Sequence, residues 1–113
     1  MNTNTKDDVQ NAPEVQNLSA MIGYQEGSVV SRTLIKKKSG TLTLFAFDEG
    51  EGLSEHTSPY EALVQIVDGE ANVTISGKEY HLKSGEVIFL PAGEPHGLKA
   101  PKQFKMLLTM IRE

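Results

Sequence analysis

Gly85 to Gly97 reads GEVIFLPAGEPHG. Val87 to Leu90 is a short apolar run of the kind that forms a strand, and Pro91 and Gly93 cannot comfortably continue a ladder. The chain must turn there. Gly93 lets that turn close tightly, so that His96 comes back toward the sheet it has just left. Gly85, ahead of the run, stands where a turn needs positive φ. A histidine delivered to the lip of a strand is a common start for a metal or acid–base site, provided other groups meet it there.

Moving outward, the neighbouring segments carry the two-residue period of half-buried strands. Ala71, Val73 and Ile75 point one way and Asn72, Thr74 and Ser76 the other; Ser76-Gly77-Lys78 then turns the chain, and Tyr80 and Leu82 resume the apolar phase. FKMLLTMI, near the C-terminus, places Phe104, Met106, Leu108 and Met110 on one face. Upstream, VVSRTLIKK runs into Ser39-Gly40 and TLTLFAF follows, which predicts a hairpin with Lys36, Lys37 and Lys38 solvated near its tip. Eight or nine short strands without a long helix predict an all-β fold, a closed barrel or a sandwich. The barrel domain is expected over residues 28–113. Residues 1–27 are expected to form an N-terminal arm, flexible up to about residue 17, with a short helical turn within LSAMIGYQEG ending at Gly23 or Gly27.

A chain of 113 residues is one domain by length, and a fold of that size buries roughly 65% of the unfolded surface, enough for one core. Cysteine is absent, which excludes disulfides, thiolate metal sites and thiol nucleophiles. A net charge of −4 argues against nucleic acid, whose binding requires a basic face. No apolar run approaches the length of a membrane span, and the polar start lacks the pattern of a secretion signal. No nucleic-acid partner, no membrane and a cytoplasmic location are therefore expected.

Two segments together resemble a known family. Gly50, five residues, His56, one residue, Ser58 and then Gly69 is similar to the first motif of the cupins. Gly85, five residues, Pro91-Ala92-Gly93, two residues and His96 is similar to the second. The resemblance covers about residues 28 to 111 and implies a small single-domain jelly-roll barrel with a small-molecule pocket at one mouth. It also implies pairing as a homodimer. In the full family pattern three His and one Glu surround a divalent metal. Carried over position by position, the first His is His56 and the last is His96. The second His falls at Ser58 and the Glu at Ala62, neither of which is a useful ligand. The resemblance thus implies a metal site on His56 and His96 alone, open to Zn, Ni, Fe, Mn or Cu and weaker than a four-ligand centre.

Two neighbours are candidates to compensate. Glu61 is one step from the expected Glu, and in a regular strand that step turns its carboxylate to the other face unless a bulge intervenes. Gln65 is a polar residue in an otherwise apolar strand and is a candidate pocket ligand or hydrogen-bond donor, although strict alternation places it opposite to an inward Ala62. The expected pocket set is His56, Ser58, Ala62, Gln65 and His96. His81 lies in the polar phase of its strand and is expected in solvent. Two functions follow: a metal-dependent enzyme acting on a small oxygen-rich metabolite, or a non-catalytic module that binds a small ligand without metal. Metal-free acid–base work by either histidine is a third, with Glu61 the candidate orienting carboxylate.

Overall fold

A computed structural model describes residues 13–112; the part of the expected arm before residue 13 lies outside them. The described chain is a β-barrel. A short 3₁₀ turn, Leu18–Met21, precedes eight strands: β1 (Val29–Lys37), β2 (Gly40–Phe47), β3 (Gly52–His56), β4 (Glu61–Ile75), β5 (Lys78–Lys83), β6 (Val87–Leu90), β7 (His96–Lys99) and β8 (Phe104–Ile111). The strand order is β1-β2-β8-β4-β7-β3, with β5 and β6 also paired to β4. All pairings are antiparallel. The expected hairpin forms, Val29 opposite Phe47 at its base and Lys37 opposite Gly40 at its tip.

The fifteen-residue β4 holds the barrel together because it serves both walls. Its first half pairs with β8 and β6 and its second half with β5 and β7. The buried positions are Ala62, Val64 and Ile66 in the first half but Ala71 and Val73 in the second. That switch from even to odd needs one extra residue. The ladder with β8 supplies it: Ile66 faces Met106 and Asp68 faces Lys105, so Val67 has no opposite number. The bulge sharpens the local twist and lets one strand bend from one wall into the other. Gly69 follows at φ 76, opposite Phe104, where a Cβ would overlap the Gln103 carbonyl.

Inside, Phe47 and Phe104 stack with ring centroids 4.4 Å apart and join Val64, Ile66, Ala71, Val73, Leu82, Leu90, Leu98 and Met106 in one core. A second, smaller core lies outside the barrel. The outward side chains Leu44 and Ala46 of β2 are buried beneath Leu18, Met21, Ile22 and Tyr24. This explains why the sequence of β2 is apolar in both phases: Phe45 and Phe47 face the barrel and Leu44 and Ala46 face the N-terminal segment. The segment is latched at Tyr24, whose hydroxyl donates to Asp68 Oδ2 at 2.5 Å while Lys105 Nζ sits 5.0 Å from its ring centroid. Burial first, then the hydrogen bond and the negative charge of Asp68, push the Tyr24 phenol well above its ordinary value.

Gly69→Ala is expected to lower unfolding free energy by about 2–3 kcal/mol or more in urea titration, from left-handed backbone strain plus overlap. Tyr24→Phe is expected to cost about 1–2 kcal/mol at neutral pH. Because the folded pKa is raised, the latch contributes below about pH 10 and loses its contribution as pH rises further. The stability difference between the two proteins should therefore be constant from pH 7 to about 10 and shrink above it, as measured by urea unfolding at each pH.

Candidate functional site

His56 ends β3 and His96 begins β7, and the two are direct partners in the ladder between those strands. Side chains opposite one another in an antiparallel pair share a face and lie within contact distance. The rings meet edge to face, centroids 4.5 Å apart at 66°. A second irregularity puts His56 on that face. Leu53 pairs with Leu98 and His56 with His96, so β3 takes three steps where β7 takes two. In a regular strand an odd step from the inward Leu53 would turn His56 outward. Gly97 makes room opposite the irregular stretch, since a Cβ there would lie 3.1 Å from Leu53 O and 3.3 Å from Glu55 N.

The turns around the site are tied to each other. Gly93 N donates to Ser58 O at 2.8 Å and Ser76 N to Pro95 O at 2.8 Å, fixing the loop that returns His96. Each imidazole is oriented by its own strand. His56 Nδ1 lies 2.8 Å from Ser54 O, and His96 Nδ1 lies 3.1 Å from Glu94 O. A carbonyl oxygen can only accept, so Nδ1 carries the proton in both rings. In the neutral ring the lone pair is then on Nε2. His96 is buried and His56 is exposed, which places the pair at the boundary between core and solvent.

Both histidines line a cavity of about 80 Å³. Leu53, Leu98, Ala62, Val64, Leu90, Met106, Leu108 and Met110 form its apolar walls, and Ser58 and Tyr60 complete it beside the two imidazoles. Four of the five expected pocket residues are therefore brought together: His56, Ser58, Ala62 and His96. Gln65 is not. It stands in the outward phase of β4, opposite Leu107 and Val87, as alternation from Ala62 requires. Glu61 is exposed, and the ladder from Glu61 to Ile66 runs without a bulge, so nothing turns its carboxylate inward. Ser58 Oγ accepts from Tyr60 N at 3.2 Å and so serves its own turn. His81, on the outer surface, bonds Asn72 Oδ1 at 2.7 Å and Glu70 Oε1 at 2.9 Å. The methionines of β8 were legible as an inward stripe, but nothing in the sequence marked Met106 and Met110 as cavity wall rather than core. A wider open groove of about 750 Å³ around Tyr24, Asp68, Glu70, Lys83 and Lys102 contains none of the candidate residues.

The model of the cupin domain family matches residues 43–112, and the chain belongs to that family. A conserved protein of unknown function from Streptococcus pyogenes is 33% identical, with a TM-score of 0.87 over 91% of this chain and 90% of that one. A cupin 2 conserved barrel domain protein from Leptotrichia buccalis is 39% identical with a TM-score of 0.83, covering 86% of this chain and 47% of that one. A cupin superfamily protein from Desulfitobacterium hafniense is 28% identical with a TM-score of 0.85, covering 91% and 96%. No curated protein sequence matches the chain.

Cupins often bind metals; Ser58 and Ala62, where the resemblance places two of four ligands, line the cavity beside the histidines. Among the described residues no group of three His, Cys, Asp or Glu is placed to hold a metal ion. The two imidazoles are of a donor type that divalent transition metals accept, and each gives its Nδ1 proton to a carbonyl, as ligating histidines commonly do. They are two where the family pattern has four ligands. The double substitution Ser58→His with Ala62→Glu should complete the set. Titration with Zn²⁺, followed calorimetrically, is expected to show at least about 100-fold tighter binding than the parent chain; no gain would mean that positions 58 and 62 do not face the histidine pair.

Proposed function

We propose that the protein binds a small, largely apolar molecule in the barrel cavity and recognises its polar end with His56 and His96. The observation that supports this is the composition of the cavity: continuous aliphatic and thioether walls with a pair of oriented imidazoles on one side. Apolar pockets with a few converging polar groups are the usual form of a small-molecule site. The size is restrictive. About 80 Å³ is roughly half the 150 Å³ or so that admits a benzene ring, so the ligand has only a few non-hydrogen atoms within the barrel.

A second reading is supported by the Nδ1 hydrogen bonds, which leave both Nε2 lone pairs available to one weakly held divalent metal. Bound there, such an ion would supply a Lewis acid to an oxygen-bearing ligand. His56 and His96 would hold it, and the aliphatic walls would keep water from the ligand's body. Pairing of two copies is inferred from the resemblance, with exposed Leu63, Val87 and Phe89 on the outer face of β4 and β6 as the apolar surface available to it.

The test uses methyl-labelled methionine. A fragment set of three to six heavy atoms is expected to contain members that shift the Met106 and Met110 methyl resonances, and Ala62→Leu should abolish those shifts while the protein stays folded. If no fragment moves either methyl, the cavity is not a ligand site. Addition of EDTA separates the two readings: binding that survives it is metal-free, and binding that it abolishes belongs to the metal-dependent form.

A further inference from the structure

Arg112 directly follows β8 and is the first charged side chain to continue the inward phase of Phe104, Met106, Leu108 and Met110. Met106, Leu108 and Met110 line the cavity, Ile111 is exposed on the opposite face, and Arg112 takes the next inward place. Its backbone N–H donates to Ser39 O at 2.7 Å, which continues the β-ladder past the last paired residue and holds the backbone in phase. The guanidinium lies over Tyr60, 5.1 Å from the ring centroid. Tyr60 in turn lines both the cavity and a second depression, which it shares with Pro59, Glu61, Ala92 and the exposed Ile111.

Among the described residues no carboxylate pairs with the Arg112 guanidinium. Arg112 Nε is buried without a hydrogen-bond partner. Glu61, the carboxylate in the depression beside Tyr60, makes no ion pair with it. A buried N–H left unpaired is unfavourable, and a guanidinium offers a planar fork that matches a carboxylate. The histidines cannot take that role in their neutral form, because their Nδ1 protons are committed to Ser54 O and Glu94 O and their Nε2 atoms only accept. They suit a hydroxyl donor instead.

Resting on the small-ligand reading above, the geometry points to a short hydroxy monocarboxylate as the ligand. Its carboxylate pairs with Arg112 beside Tyr60, its aliphatic carbons lie against Met110 and Leu108, and its hydroxyl donates to Nε2 of His56 or His96. Arg112 is thus the specificity-determining residue for an anionic end.

The probes are 3-hydroxybutyrate, butyrate and butane-1,3-diol, each titrated against the methionine methyl resonances. 3-Hydroxybutyrate is expected to bind best, and the diol, which lacks the charge, at least about 10-fold more weakly. Arg112→Gln should weaken 3-hydroxybutyrate by the same factor and leave the diol unchanged; Arg112→Lys should recover part of the loss. Diol binding equal to that of the acid, with Arg112→Gln neutral, would overturn the assignment of Arg112. Equal binding of butyrate and 3-hydroxybutyrate would overturn the role given to the hydroxyl. If other small fragments bind in an Ala62→Leu-sensitive manner and none of these probes does, this inference fails alone; if no fragment binds, the small-ligand reading fails with it.

Discussion

One strand, β4, has to present its side chains to the same interior from two different walls, and the extra residue at Val67 followed by Gly69 is what permits it. A strand of fixed alternation that bends around a barrel would bury its apolar face in one wall and expose it in the next. By inserting a single unpaired residue, β4 buries Ala62, Val64 and Ile66 on one side of the bend and Ala71 and Val73 on the other. Every other strand of the barrel except β1, β2 and β3 pairs with it directly. Phe104, directly opposite Gly69, is stacked on Phe47, so the bend and the aromatic centre of the core are one unit.

The candidate site repeats the device on a smaller scale. An extra step in β3 brings His56 to the inner face, and the cross-strand pairing with His96 then sets the ring separation. What the site lacks is the remaining charge and ligands of a four-coordinate centre. Ala62 is wall, Ser58 is engaged in its turn, and Glu61 points away. The result is a cavity whose polarity is concentrated in two oriented imidazoles, with a guanidinium over Tyr60. It is on this composition that we propose recognition of a small molecule rather than tight retention of a metal.

Much of this was legible in the residues. The alternation of Ala71, Val73 and Ile75, the breakers Pro91 and Gly93, and the inward stripe from Phe104 to Met110 named the strands and their faces because period-2 burial is a direct physical signal. The pairing of the two motifs joined His56 to His96, which the structure seats side by side on the adjacent strands β3 and β7. Three things were not legible. The bulges at Val67 and between Leu53 and His56 change the phase of a strand without any breaker residue that marks the extra position. The burial of Leu44 and Ala46 beneath residues 18–24 is a tertiary choice that a doubly apolar strand only permits. Arg112 carried no motif, and its place follows solely from the continuation of β8 past Met110. Gln65, attractive as a lone polar residue in an apolar run, shows the reverse: its outward position follows from simple alternation, and composition alone misleads.

The central claim is that two imidazoles, held by their Nδ1 protons, turn paired Nε2 lone pairs to one small cavity. Long-range ¹H–¹⁵N correlation spectra of the histidine rings test it most directly. The neutral form of both His56 and His96 should show the Nδ1-protonated pattern, and their two Nε2 signals should respond together when a molecule enters the cavity. An Nε2-protonated pattern for either ring, or a response confined to one of them, would contradict the account.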